Sequence, residues 1–451
     1  MSKTTILTLA SIILCLSFAA TSSAAPPADS GKTLSITVDQ SVQLGMENSK
    51  SLHESLMKVQ QAGAQESEVR TNELPSLTAN GSYTRLSPIT PFDIVLGRLT
   101  YVVVPNILNN YSGRISAQQP LFTGFRLESD KNAAEYSTRA SENDYTSDKN
   151  QLVYNVKNAY WSLFRAIELE KVVAENIEEV KAHLNDVQNL MDQGMATNND
   201  LLRVQVQLSN TELLQIDAKN NIELAMVGLD NAMGVPLDTR IALQSVPRPL
   251  ADTTVGQHIG NLDSLIAAAI DNRPDLRALD FRVKASDESV KAAESGWYPQ
   301  VYLFGDYVDA RPNSRYFPEI DMFKDSWDFG VTASWNIWNW GATIDQTNEA
   351  QAQRSQAQDA LLQLRDGVTL EVTQSYLNLK KTVEQIGVSA EGVKQAQENY
   401  RVTNEKFKSG LALNSDVLDA ELSLLQAKTN YTQALVDYEL ANAQLVKSIG
   451  Q

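Results

Sequence analysis

Cysteine is almost absent. The single one, Cys15, sits in an apolar run over 6–18, behind Lys3 and ahead of the small-residue stretch 19–25. That order predicts a secretory leader, 1–24, cleaved after Ala24, with Ser22 and Ala24 as the small recognition side chains. The run is shorter than the roughly 20 apolar residues of a membrane-spanning helix. Leader removal takes Cys15 with it, which excludes disulfides, thiolate ligands and thiol nucleophiles from the mature chain. Ile13 and Leu14 before Cys15 are not the small residues of a lipoprotein signal, so no lipid anchor is expected.

Histidine is nearly as scarce. His53, His183 and His258 lie far apart, and no metal-ligand cluster, phosphate-binding loop or nucleophile elbow accompanies them. No enzyme, metal or other cofactor is therefore expected. Basic residues are outnumbered, 38 Lys and Arg against 55 Asp and Glu, for a net charge of −17. That sign disfavours nucleic acid as a partner. Past the leader no apolar stretch is long enough for a membrane helix, so entry into a bilayer requires a β-barrel. Proline is missing from 121–235 and from everything after Pro318, so nothing forces a helix break there.

What is present is a duplication. The segment "AYWSLFRAIELEKVVAENIEEV" from Ala159 aligns with "SYLNLKKTVEQIGVSAEGVKQA" from Ser375, and the same spacing maps Gly194 to Gly410, Asp200 to Asp416 and Gly234 to Gly450. Nearer the repeat starts, Asn48, Pro75 and Tyr83 map onto Asn272, Pro299 and Tyr307 at a spacing longer by a few residues. The difference falls between Tyr83 and Leu121, where a variable loop is expected. The domain reading is repeat 34–234, a linker 235–260 containing Pro247 and Pro249, and repeat 261–451, each repeat a helix, a β-hairpin and a long helical hairpin.

Each repeat changes period along its length. Trp327, Phe329, Val331, Ala333 and Trp335 alternate with Asp328, Gly330, Thr332 and Ser334, and Tyr111, Gly113, Ile115 and Ala117 alternate with Ser112, Arg114, Ser116 and Gln118. With weaker alternation after Pro75 and Pro299, this predicts four strands of bilayer-crossing length. Half-buried strands of a soluble sandwich alternate too, but need more strands. The smallest membrane barrels use about eight, so four imply completion by other chains. Beyond the strands, Val156, Tyr160, Leu163, Ile167 and their successors follow a helical period. They predict a helix from Arg126 to Asp192, of order 100 Å at ~1.5 Å per residue, turned at Gly194 and, in the second repeat, at Gly410. A coiled-coil stalk or adhesin is the alternative that helical period alone would allow.

The ordered segments "LPSLTANGSY", "QPLFTGF", "DQGMATNNDLLRVQVQL", "AAAIDNRPDL", "YPQVYLFGDY", "WNIWNWGA" and "KSGLALNSDVLDAELSLLQA" resemble the TolC-like outer-membrane efflux proteins, twice over. The resemblance implies a mixed α/β membrane protein: a homotrimer closing a twelve-stranded barrel, continued by an α-helical tunnel that crosses the periplasm. It further implies a passive duct in the outer membrane. Such a duct works with a periplasmic adaptor protein and an inner-membrane efflux pump or secretion ATPase, in efflux or in type I secretion. Because the chain ends soon after its last helix, only a small equatorial collar is expected.

The resemblance also assigns sites. Asp416 and Asp419, one helical turn past Gly410, are expected on one face lining the periplasmic aperture, although acids in a first turn equally complement the helix dipole. Asp200 matches the family's gate aspartate, but its arginine and tyrosine partners are replaced by Ala412 and Phe407. Arg203 is therefore a candidate substitute partner, a solvated arginine being the alternative. The tips Gly194, Met195, Thr197 and Gly410, Leu411, Leu413 are expected to contact the adaptor, or else to pack within the turn. Trp297, Trp327, Trp335 and Trp338 are expected in an aromatic girdle against outer-membrane lipid, or between strand and helix layers. His183 is expected on a helix face.

Overall fold

A computed structural model describes residues 33–89, 92–104, 106–247 and 260–451. The expected leader and much of the expected linker lie outside them. The first repeat begins with α1 (Val38–Asn48) and α2 (Lys50–Thr71). Thr37 and Gln40 form a reciprocal capping box at the start of α1, and the Ser49 hydroxyl accepts from the Leu52 amide to start α2. Strands β2 (Ser76–Arg85) and β5 (Asn109–Phe122) follow, then the helices α3 (Arg126–Asp192) and α4 (Asn198–Met233).

The second repeat reuses that order: α5 (Leu262–Asn272), α6 (Pro274–Glu294), β7 (Gln300–Arg311), β8 (Lys324–Ser334), α7 (Ala342–Lys408) and α8 (Asn414–Ser448). Both long helices have 67 residues, about 100 Å at 1.5 Å per residue. Their uninterrupted length follows from the missing proline. Where the expectation was a variable loop, the structure has the hairpin β3 (Phe92–Leu96) and β4 (Leu99–Val104). It also has a short parallel pair that the sequence did not suggest, β1 (Leu34–Ile36) with β6 (Ile241–Leu243).

The four long strands form one antiparallel sheet in the order β2-β5-β7-β8, leaving β2 and β8 as open edges. Two consecutive left-handed residues turn each strand into its long helix. They are Gly124 and Phe125 in the first repeat, and Trp340 and Gly341 in the second, all with φ between 58° and 88°. Phe125 is held in that conformation by edge-on contacts with Phe122 and Tyr298. A Cβ at Gly124 would meet the Ser295 carbonyl at 2.7 Å, so glycine is required there.

Three apolar clusters hold the helices. One gathers Ile36, Leu52, Val156, Tyr160, Leu163, Leu229, Met233 and Val436, near the β1/β6 pair. The Tyr160 hydroxyl accepts from the Ser245 amide at 2.8 Å, tying that pair to α3. A second joins α5, α6 and α7 through Ala269, Leu276, Val368 and Val372. The third lies at the hairpin ends. Within the subunit α3 packs against α4 and α8, and α8 packs against α7, so α4 and α7 flank the helical layer.

Candidate functional site

The hairpin ends are built by local signals. Gly194 and Gly410 adopt φ of 75° and 70°. The following amides, of Met195 and Leu411, reach back to the carbonyls of Leu190 and Lys406, each at 2.8 Å. These bonds close the helix ends in the manner of Schellman caps. Met195, Leu411 and Leu413 are left 66%, 78% and 69% exposed, so the apolar tips do not pack within their own turns. Thr197 caps α4: its hydroxyl accepts from the Asp200 amide, and the Asp200 carboxylate accepts from the Thr197 amide and hydroxyl.

Asp200 is thus engaged with Thr197. Those bonds, first that from the Thr197 side chain and then that from its backbone, hold its carboxyl below the ordinary aspartate range. Arg203 is exposed and contributes only a weaker attraction. Among the described residues it forms no ion pair with Asp200, whose Oδ2 accepts both Thr197 bonds. Asp416 accepts from the Leu413 amide at 2.9 Å and caps α8. Asp416 and Asp419 are both exposed, one turn apart on α8.

Ala412 and Phe407 also have a physical account. Phe407 is buried in the tip core with Val180, Val187, Leu201, Val204 and Val417, and Ala412 packs against it. The cross-repeat contact is made instead by Asn414, the first residue of α8. Its amide nitrogen donates to the Asp200 carbonyl at 3.1 Å, and its Oδ1 lies 2.7 Å from His183 Nε2. His183 is 2% exposed, with its ring edge-on to Phe407 at 5.1 Å. It is an interior junction of α3, α7 and α8 rather than a simple helix-face residue. A lone histidine in a helix gives no local signal of this.

The two faces of the sheet differ in character. From the strand register, Thr78, Asn80, Ser112, Arg114, Ser116, Asp306, Asp328 and Thr332 share one face, together with Tyr302, Phe304 and Val308. Leu77, Ile115, Leu303, Tyr307, Trp327, Phe329 and Val331 share the other. The tryptophans fall at two levels. Trp297, Trp335 and Trp338 lie at the helical end of the sheet, exposed, with the Trp335 indole donating to the Trp297 carbonyl at 3.1 Å. Trp327 lies opposite Tyr307, eight residues along from Trp335. At ~3.3 Å per residue that is about 26 Å along the strand.

Sequence reading also missed Glu421. It is fully buried on α8, and neither carboxylate oxygen has a hydrogen-bond partner among the described residues. Burial, assisted by the charge of Glu179, pushes it up to about 8. Among the described residues no group of three or more His, Cys, Asp or Glu could hold a metal, and no helix is long and apolar enough to cross a membrane.

Comparison with known proteins adds four findings. The model of the outer membrane efflux protein family matches residues 42–235 and 265–451. Toxin and drug export protein A of Aggregatibacter actinomycetemcomitans is 22% identical over 334 residues, 72% of this chain and 71% of that protein. Outer membrane protein OprJ of Pseudomonas aeruginosa is 21% identical over 91% of this chain and 83% of its own length. In fold, the outer membrane protein VceC of Vibrio cholerae superposes with a TM-score of 0.76 at 17% identity, over 92% of this chain and 96% of that one.

Proposed function

The chain belongs to the outer membrane efflux protein family, and from that premise we propose that three copies close a twelve-stranded outer-membrane barrel continued by a helical tunnel, a passive exit duct. The observation that carries this is the four-stranded sheet, mostly polar on one face and mostly apolar on the other, open at β2 and β8, and running directly into helices of 67 residues. Four strands cannot close a barrel alone. An edge strand left with unpaired amides needs a partner, and β8 of one subunit supplies it to β2 of the next.

The helical layer supports the same closure. Its flanks, α4 and α7, carry exposed apolar rows: Leu202, Val206, Leu213, Ile216, Leu224 and Val227 on the first, Leu362, Leu370 and Leu377 on the second. Rows of that size on a soluble surface mark contacts with other chains. The repeats 34–234 and 261–451 then act as two equivalent wall units joined by 235–260. Trp297, Trp335 and Trp338 at one level and Trp327 at the other bracket a lipid-facing band of about 20 Å once a strand tilt of roughly 40° is included, within the roughly 25 Å of a barrel's apolar belt.

At the far end, Asp416 and Asp419, with Asp200 and Arg203 of the other repeat, line the periplasmic aperture, where three copies concentrate negative charge and favour cations. Met195, Leu411 and Leu413, presented by the turns at Gly194, Thr197 and Gly410, offer apolar contact to a periplasmic adaptor. The adaptor links the duct to an energised inner-membrane pump or secretion ATPase. The name of the Aggregatibacter relative, toxin and drug export protein, favours toxins and drugs as cargo.

Single-channel recording of the purified oligomer in planar bilayers tests this reading, comparing wild type with the Asp416→Ala, Asp419→Ala double variant. Cation-selective pores that widen or lose selectivity in the variant are expected. Pores indifferent to the substitutions would remove the aperture assignment alone. A correctly assembled oligomer that never conducts would point to a coiled-coil stalk.

A further inference from the structure

The cross-repeat junction at the hairpin tips has a defined hydrogen-bond direction. The Asn414 amide nitrogen is committed as donor to the Asp200 carbonyl, so its Oδ1 is the acceptor facing His183. His183 therefore carries its proton on Nε2. Its other ring nitrogen, Nδ1, is buried and has no hydrogen-bond partner among the described residues. Asn414 is itself buried, 5% exposed, so no solvent route offers either side chain an equivalent set of bonds.

We infer that His183 and Asn414 are positioning residues of the periplasmic aperture, fixing the start of α8 to the start of α4 and so setting the separation of the Asp416 and Asp200 carboxylates, and that this hold requires an uncharged His183. The inference rests on the duct reading above. Asp200 and Asp416 are each the third residue of the helix they cap, so both carboxylates move with the helix ends that Asn414 joins. With Ala412 and Phe407 unable to donate a side-chain bond at the family's gate positions, the His183–Asn414–Asp200 chain supplies a polar link between the two hairpins.

A second proton could enter only at Nδ1, and the neighbours do not welcome it. On α3 itself Asp186 attracts a proton weakly, but its carboxylate is paired at 3.2 Å with Lys408 of α7, whose own charge opposes one. From α7 the Phe407 ring covers His183. On α8, Asn414 is neutral and the Asp416 carboxylate is held by the Leu413 amide. On α4, Asp200 is held by Thr197, and Arg203 is a further positive charge. Burial keeps the imidazole below its ordinary 6.5, with the Asn414 bond and Asp186 only partly opposing it. A group whose folded value is depressed binds more protons when the junction is parted, so the link is fully stable above 6.5 and weakens as pH falls below it.

The test uses the full-length oligomer in planar bilayers between about pH 7.5 and about pH 5, the window in which histidine charges. Wild-type conductance should rise about fivefold on acidification, the range of an ordinary coupling between sites. His183→Gln keeps a donor toward Asn414 but cannot be charged, and should stay low at both pH values. Asn414→Ala should conduct at the high level throughout. Backbone hydrogen exchange over 190–200 and 408–416, corrected for intrinsic rate, should quicken in acid for wild type and not for His183→Gln. An acid response retained by His183→Gln, in either measurement, would overturn the inference. If the wild type forms no pores, the duct reading fails while the exchange comparison still decides the junction.

Discussion

Arg273 and Glu371 form an ion pair at 2.6 Å that closes the second repeat on itself. Arg273 stands between α5 and α6, and its guanidinium also holds Asp275 at 2.7 Å and the Ser448 carbonyl at 3.2 Å. One side chain, 11% exposed, thus joins the start of α6, the middle of α7 and the end of α8. Replacing it with alanine leaves Glu371 half-desolvated, with Gln444 and Lys447 as its remaining partners among the described residues. Arg273→Ala should lower stability by about 2–4 kcal/mol, read as a reduced midpoint in thermal or denaturant unfolding. Arg273→Lys should recover only part, since an ammonium cannot hold three partners in a fork.

Gly234 and Gly194 separate conformational strain from steric clash. Both have positive φ, but a Cβ at Gly194 meets nothing within 4 Å, whereas one at Gly234 meets the Asn48 carbonyl at 2.7 Å. Gly194→Ala should cost about 1 kcal/mol and Gly234→Ala about 2–4 kcal/mol. The two variants compared by urea unfolding check the difference, and equal losses would remove the clash argument.

Glu421 makes stability depend on pH. Burial raises its carboxyl from 4.5 to about 8 in the folded chain, so its contribution is fully present below 4.5 and is lost as pH rises through about 8. Glu421→Gln cannot ionise. It should therefore unfold at a higher temperature than wild type near pH 8, by the equivalent of roughly 2–4 kcal/mol, with the gap shrinking toward pH 5. A gap independent of pH would mean that Glu421 is charged in the folded protein.

Val331 and Thr332 are neighbours on β8 that face opposite ways. If the apolar face meets lipid, Val331→Arg should reduce the membrane-assembled oligomer severely, at a cost of about 2–4 kcal/mol per subunit near the bilayer midplane. Thr332→Arg should assemble normally and shift ion selectivity toward anions. Heat-stable oligomer on gels and reversal potentials in a salt gradient report the two effects.

The parts of this architecture that local physics dictates were legible from residues. The long helix from Arg126 to Asp192 follows from a helical period without proline and a glycine able to adopt positive φ at 194. The strands follow from period-two alternation, and the register then gives each strand the face its alternation implied. The β1/β6 pair was not legible, because three-residue strands carry no period and their partners lie some two hundred residues apart. The hairpin β3/β4 stood where only a difference in repeat spacing was visible.

The candidate site divides in the same way. Exposed tips at Met195, Leu411 and Leu413 and the paired acids on α8 follow from turn chemistry and helical spacing. Spacing along the helix did not show that, within the subunit, Asp200 accepts from Thr197 and forms no ion pair with Arg203 among the described residues. Nothing local distinguishes His183, Asn414 and Glu421 from solvated residues. Only packing α3, α7 and α8 side by side buries them and decides which atoms find partners. The sequence by itself determined the duplicated strand-and-hairpin plan, because period, proline and glycine act over a few residues. The tertiary structure alone decided the polar junctions between repeats, because burial and hydrogen bonding there depend on atoms brought together from distant parts of the chain.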